Sequence, residues 1–444
     1  FVTTRPRPHY AAAPRPGSAS EEGPVFGLAR LRDLLEAFGR PQDSFPVIHI
    51  GGSAGKTSTS TLTDALLRSQ GLRSGLHISP HLTTLRERLS VDGAPCSNEQ
   101  LVTLVKAQRG TIDARYRLAR RGPPSYFELL LALALRHFAD QEVDAAVLEV
   151  GLGGRYDGTN VVQNIAVSIV NCIGLDHTHI LGETKEAIAR DKLGIARADR
   201  PLLSAEQDPA VLAVFEEECA KAGARFELLG RDFFMETEPQ SAGGALRYRS
   251  AERELRSLRL RAVGTVQQRN AALALRATEL FLASTGREFD PEAARAALAE
   301  TAIPGRCEQL SASPRVILDV AHNPDKLRAL AAELAASGRS WQIVLAMTTG
   351  KDIEACLEAL LPVSAGFFFT WPQTSHRPAE EPLILFDALK ELDAEVPAKV
   401  FLDPQDALDA ALVAASSEEG VCVTGSLFLV SVLRERWRPK TDAP

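Results

Sequence analysis

The chain offers no pairing of cysteines. Its six (Cys96, Cys172, Cys219, Cys307, Cys356 and Cys422) are scattered over 444 residues, with no CxxC pair and no His/Cys cluster. That spacing argues against a disulfide framework or a zinc site and for reduced thiols in a cytosol. Positive charge is also in deficit, with 50 Lys and Arg against 57 Asp and Glu. A net charge of −7 carries no electrostatic footprint for nucleic acid, so any phosphate site must be built locally. Long apolar runs are missing too: LLLALAL at 129–135 falls far short of the roughly 20 residues of a membrane span. Residues 1–24, rich in Pro, Ala, Arg and Ser, lack the apolar stretch of a secretory signal and read as a flexible N-terminal tail. A cytoplasmic protein without membrane or nucleic-acid partners is expected, and nothing demands more than a monomer.

What is present is an ordinary globular composition, 45% hydrophobic and 24% charged, in a chain long enough for two or three domains. Residues 26–39 carry apolar side chains at helical spacing and stop at Gly39 and Pro41. FPVIHI (45–50) reads as a buried strand, followed by a glycine loop and a helix that ends at Gly71. VDAAVLEV (143–150) and IAVSIVN (165–171) are near-continuous β-branched runs, the signature of parallel strands covered on both faces. Residues 185–197 and 267–285 read as helices. The texture breaks at Ile303-Pro304-Gly305, after which strands at 315–320, 342–347, 366–371 and 421–425 alternate with helices. The expected organisation is α/β throughout: the tail, a larger parallel-sheet domain at 25–302, and a smaller Rossmann-like α/β domain at 303–444.

The glycine loop, GSAGKTS at 52–58, would present backbone N–H groups at a helix N-terminus, where orphan donors and the helix dipole attract phosphate. Gly52 and Gly55 supply the turn, Lys56 would reach the terminal phosphates, and Thr57 or Ser58 could offer a hydroxyl. Ile50 stands where the strict GxxxxGK[ST] pattern has its first glycine, so a tight strand–helix turn remains the plain alternative. Three further segments end at the same kind of strand edge, where open α/β sheets place ligands. HISPHL (77–82) brings Ser79, EVGLGGRYDGTN (149–160) brings Glu149, and GLDHTHILG (174–182) brings His177. A buried strand-end carboxylate needs a partner such as Mg²⁺ or a polarised donor. The serine and the histidine would each, alone, read as turn residues.

Taken in order, these segments resemble the folylpolyglutamate synthase/dihydrofolate synthase family of the Mur-ligase superfamily, from about Gly27 to Arg434. The family's loop GTNGK[GT][ST] is met by GSAGKTS, and its SPHL and ER[IL] by Ser79–Leu82 and Glu87-Arg88-Leu89. EVGLGGR-x-D-x-TN, GLDH and [ED]K-x-GI follow at 149–160, 174–177 and 191–195. G-x-x-Q-x-x-N, PGR, D-x-AHNP, KD and TGS then fall at 264–270, 304–306, 319–324, 351–352 and 424–426.

The resemblance implies a P-loop-type ATP-binding central domain and an ATP-dependent, ADP-forming carboxylate–amine ligase. Its substrates would be L-glutamate and a folate or dihydropteroate. It assigns Ser79 and Glu149 to a first Mg²⁺ and His177 to a second, with Lys192 carried as a carbamate ligand. Lys56, His177 and Lys192 are thereby the catalytic set. Asn270, Arg306, Asp319 and His322 match positions that contact ATP, beside Gly52, Gly55, Lys56, Thr57 and Ser58. For the pterin it implies Arg30, Phe127, Glu128, Tyr156 and Asp157. Four positions depart from the pattern: Ser53 and Ala54 replace Thr-Asn in the loop, and Gly158 and Leu193 replace alanines. Two other readings stay open at this stage: an amide ligase of the same superfamily acting on a non-folate carboxylate, and a nucleotide-binding homologue without ligase activity.

Overall fold

A computed structural model of the chain describes residues 28–117, 122–238, 245–262, 264–372, 378–392 and 395–437. The expected tail at 1–24 and the first residues of the helix expected over 26–39 lie outside the described residues. The remainder of that helix is Leu28–Ala37, which buries Leu31, Leu34 and Leu35 on one face. The described residues fall into two compact units: one runs to Leu260 and takes in Val266–Thr301, the other joins Arg261–Thr265 to the chain from Ala302.

In the first unit eight strands share a sheet: β1 (Val47–Gly51), β2 (Ser74–His77), β3 (Ser90–Val91), β4 (Ala94–Pro95), β5 (Ala145–Glu149), β6 (Ile165–Val170), β7 (Pro201–Ser204) and β8 (Arg225–Leu228). Their spatial order is β4-β3-β2-β5-β1-β6-β7-β8. The six strands from β2 to β8 in that order pair in parallel, while β3 and β4 add an antiparallel edge beside β2. β1, β5 and β6 are buried along their whole length, which is why they lack polar alternation. After β1 the chain crosses to β2 on one flank and later fills β6 on the other. The carboxyl end of β1 is therefore the switch point, where doubly wound sheets open a crevice. Helix Tyr126–Asp140 packs its continuous apolar stretch, Leu129–Leu135, into a large cluster of buried side chains.

A three-stranded antiparallel sheet, β9 (Phe234–Thr237), β10 (Leu246–Arg249) and β11 (Glu254–Leu258), completes this unit. It is fastened to helix Thr265–Ser284 by a buried ionic knot. Arg276 bonds to Glu227 of β8 at 2.6 Å, to Glu279 at 3.1 Å and to Glu252. Tyr248 of β10 donates to Glu279 at 2.8 Å, and Arg253 pairs with the same carboxylate at 2.7 Å.

The second unit is a six-stranded sheet of β12 (Glu308–Ala312), β13 (Arg315–Leu318), β14 (Trp341–Leu345), β15 (Ser364–Phe369), β16 (Ala398–Val400) and β17 (Gly420–Thr424). The order is β12-β13-β17-β14-β15-β16, all parallel except β12 against β13. Trp341, Phe367 and Phe369 lie in its core. Among the described residues, no helix is long and apolar enough to cross a membrane.

Candidate active site

The crevice at the end of β1 begins with the glycine loop. Gly55 has φ +81°, and a Cβ there would stand 2.5 Å from Asn270 Oδ1 and 2.7 Å from Asn171 Nδ2. Only glycine allows that left-handed turn and that close approach together. Those two asparagines form the floor of the loop. Asn171 Nδ2 donates to Thr59 Oγ1 at 2.9 Å and to Asn270 Oδ1 at 3.1 Å, while Asn270 Nδ2 donates to Gln267 at 3.0 Å. Asn270 is thus buried with both ends of its amide engaged. Its Oδ1 also receives the Thr59 hydroxyl at 3.3 Å. Ser53, one of the departures from the motif, ties the loop sideways by donating to Gly174 O at 3.0 Å. Ala54, the other, is exposed.

Helix Lys56–Ser69 starts directly after Gly55, which puts the positive end of its dipole at the glycine loop. Lys56 Nζ donates to Gly52 O at 3.0 Å, and Lys192 Nζ donates to the same oxygen at 3.1 Å. Lys192 closes helix Lys185–Lys192 and is buried. Burial, then the nearby Lys56 charge, pulls its amine down to about 7, against an opposing pull from Asp191 and Asp176. Gly154 makes room for this turn, since a Cβ there would meet Lys192 O at 2.5 Å.

Glu149, the last residue of β5, is 1% exposed. Thr57 donates to its Oε1 at 3.0 Å and the Ser79 backbone N–H to its Oε2 at 3.3 Å. The Ser79 loop is braced from behind by Glu87, whose carboxylate accepts N–H bonds from Leu82, Thr83 and Thr84 at 2.7, 2.9 and 2.8 Å. Ser58 is buried in the first turn of its helix. His177 has φ +53°, a half-exposed side chain, and Asp176 Oδ1 3.7 Å from Nε2. Asp176 and Asn171 were both passed over in the sequence. Their signal was available: each is a polar residue ending or following the buried strand β6.

A second group gathers around Gly151. A Cβ at this glycine would lie 2.7 Å from the Phe127 ring and 3.2 Å from Asp157 Oδ2, so ring and carboxylate flank one spot. Asp157 is buried. Burial pushes its carboxyl up, and bonds from Thr159, Leu152 and Gly151 pull it back. Arg30 clamps Glu128 with two bonds of 2.9 Å. Glu128 also accepts from Ser125 N at 2.7 Å, closing the capping box of the helix that carries Phe127. Its carboxylate therefore also holds the scaffold. Tyr156 is 41% exposed.

In the second unit, Asp319 follows β13 and accepts N–H bonds from Cys307 at 2.9 Å and Ala321 at 2.7 Å. Burial raises its carboxyl, and the Arg306 charge opposes that rise. Arg306 bonds to Gly305 O at 3.1 Å, and the His322 Nδ1 lies 2.9 Å from Val320 O. These three residues share the carboxyl end of β13.

Residues 50–278 match the Mur ligase middle domain, and residues 305–427 match the Mur ligase glutamate ligase domain. A dihydrofolate synthase/folylpolyglutamate synthase of Bacillus subtilis is 31% identical over 418 residues, covering 92% of this chain and 94% of its own. The chain belongs to the folylpolyglutamate synthase/dihydrofolate synthase family of Mur ligases. The folds of family members agree with it. A Mycobacterium tuberculosis folylpolyglutamate synthase solved with ADP and AMPPCP superposes with a TM-score of 0.85 at 32% identity, over 94% of this chain and 96% of that one. An Escherichia coli FolC solved with DHPP and ADP gives 0.77 at 27% identity, over 94% and 99%. The glycine loop, Glu149, Lys192 and Asn270 all fall inside the middle-domain match, and Arg306, Asp319 and His322 inside the glutamate ligase match. Arg30 lies outside both.

Proposed function

We propose that this protein is an ATP-dependent ligase that joins L-glutamate to the carboxylate of a folate or a dihydropteroate through an acyl phosphate. The observation that carries the reading is the meeting of Lys56 and Lys192 on one carbonyl, Gly52 O, at the head of the glycine loop. Lys56 beside a helix N-terminus makes a place for anionic oxygen, and the shared carbonyl brings Lys192, as its carbamate, to the edge of that place. The kinship supports the same reaction: the relatives are named folylpolyglutamate or dihydrofolate synthases, and solved family structures hold ADP, AMPPCP or DHPP.

Glu149 is a buried carboxylate held between the Thr57 hydroxyl and the Ser79 N–H, so oxygen ligands from Glu149, Thr57 and the Ser79 side chain are available close together in the chain's fold. Hard oxygen donors of this kind fit Mg²⁺. Ser79 and Glu149 would hold one ion, and His177 with Lys192 as its carbamate a second. Bound there, Mg²⁺ would neutralise charge on the phosphate oxygens.

The substrate carboxylate attacks the γ-phosphorus and ADP leaves, giving an acyl phosphate. The amine of glutamate then attacks the acyl carbon, phosphate leaves, and an amide forms. Phosphoryl transfer asks mainly for positioning and electrostatics. The loop N–H groups orient the phosphates and Lys56 follows the charge that develops on the transferred group. Asn270 acts from below by fixing the loop. Phe127 and Asp157 would receive the flat heterocycle, with Tyr156 at the rim. Arg30 and Glu128 brace the helix that presents Phe127.

Phosphate release from ATP and Mg²⁺ tests the reading. It should require both L-glutamate and either dihydropteroate or tetrahydrofolate. Turnover with neither pterin would remove the folate assignment.

A further inference from the structure

His49 sits in the middle of β1, fully buried, between Ile48 and Ile50. An aliphatic side chain would cost less there, because a buried imidazole must find hydrogen bonds. It finds one. His49 Nε2 is 2.7 Å from Thr159 Oγ1, and Thr159 Oγ1 donates to Asp157 Oδ1 at 2.5 Å. The same carboxylate accepts the Thr159 N–H on Oδ1 and the Leu152 N–H on Oδ2, each at 2.9 Å.

The direction of this chain follows from counting protons. Thr159 has one hydroxyl hydrogen, and it goes to the carboxylate. Its oxygen then accepts from His49, which fixes the imidazole as the Nε2–H tautomer. The other ring nitrogen, Nδ1, is buried without a partner among the described residues. Burial holds the imidazole down at about 3, so it is neutral at working pH. A simple turn cap needs only the bond from the Thr159 N–H, which Asp157 already accepts as N-cap of the short helix Gly158–Val161. The hydroxyl and the histidine are additional, and they reach from the sheet core to a carboxylate whose other oxygen lies beside Gly151 and the Phe127 ring.

We propose that His49 and Thr159 are positioning residues for the heterocycle, holding the Asp157 carboxylate in one rotamer as an acceptor for ring N–H groups. The inference rests on the reading that Asp157 faces the pterin. His49 touches no reacting atom, and it acts only through the threonine hydroxyl. Such a chain lowers the cost of binding by removing rotamer freedom before the ligand arrives.

The test compares Thr159→Val, Thr159→Ser, His49→Leu and Asp157→Asn by steady-state kinetics, with the melting temperature of each measured alongside. Thr159→Val should raise KM for dihydropteroate or tetrahydrofolate about tenfold, leaving KM for ATP and kcat at saturation within about twofold. Thr159→Ser, which keeps the hydroxyl, should stay within about twofold of the parent. His49→Leu, which keeps the Thr159 hydroxyl but releases its orientation, should raise the same KM by part of the Thr159→Val shift, and the double variant should go no further than Thr159→Val, because both act through one hydroxyl. If Asp157→Asn raises the pterin KM while Thr159→Val does not, the positioning role is overturned and the pterin site stands. If Asp157→Asn itself leaves that KM unchanged, the pterin assignment of Asp157 falls and takes the proposal with it. Should Thr159→Val fail to fold, Thr159→Ala is read in the same way.

Discussion

Lys192 should carry carbon dioxide. Its amine is buried and lies with Lys56 on one carbonyl oxygen, which brings it down to about 7. At pH 7 such an amine is about half neutral, against about one part in 3,000 for a lysine at 10.5. Carbamate formation consumes the neutral amine and CO2 and releases a proton, so the gain in reactive form is of that order. The modification also exchanges a cation for an anion beside Lys56, which relieves the repulsion between the two amines. The protein, incubated with isotopically labelled bicarbonate, should show one slow-exchanging carbamate resonance, absent from Lys192→Arg. The signal should fade as pH falls from about 8 to about 5.5, because the amine is protonated. Lys192→Ala should lose ligase rate and recover part of it with small carboxylic acids. The unmodified amine has a linked effect on stability. The unfolded chain keeps the Lys192 proton up to the ordinary lysine range while the folded chain sheds it near 7. Stability should therefore rise with pH through that window, and Lys192→Met should flatten the rise. A wild-type sample with no resonance in saturating bicarbonate at alkaline pH, or one that persists in Lys192→Arg, would refute the argument.

Lys56→Ala should reduce phosphate release by at least about 100-fold, since no other loop side chain supplies that charge; near-normal turnover would displace the loop as the phosphate site. Gly55→Ala should abolish the thermal shift that ATP produces, because its Cβ would fall 2.5 Å from Asn270 Oδ1 on a backbone at φ +81°. A retained shift would show that the loop can relax. Arg276→Met should destabilise the first unit by about 3–5 kcal/mol, because it strands buried Glu279 with fewer partners. Urea denaturation reads this directly, and a loss below about 1 kcal/mol would mean that the knot contributes little.

Much of the parallel architecture could be read from apolar runs such as those of β5 and β6, since strands covered on both faces show no polar alternation. The sheet of β9 to β11 could not. Its strands are four or five residues long and include FMET and ELRSL, whose charged side chains imitate a loop. At the site, Glu149 announced itself as a carboxylate ending an apolar strand. Lys192 did not, because a lysine closing an amphipathic helix looks like any solvated one until the loop against it is placed. Glu128 has a second part that was also legible. Ser125 three residues earlier marks it as the acidic member of a capping box, a scaffold role that its sequence context already contained.

The asparagine floor beneath the glycine loop has a consequence for the order of folding. Thr59, Asn171 and Asn270 meet under residues 52–58 although they are separated by 112, 99 and 211 positions along the chain. Closing contacts of that span is slow and entropically costly, so they form late. A nascent chain that has emerged only as far as β11 already contains every residue of the loop, yet it lacks the helix that supports it from below. Nucleotide binding is then a property acquired only once helix Thr265–Ser284 has emerged, and ATP would stabilise the finished first unit while giving no help to its precursors.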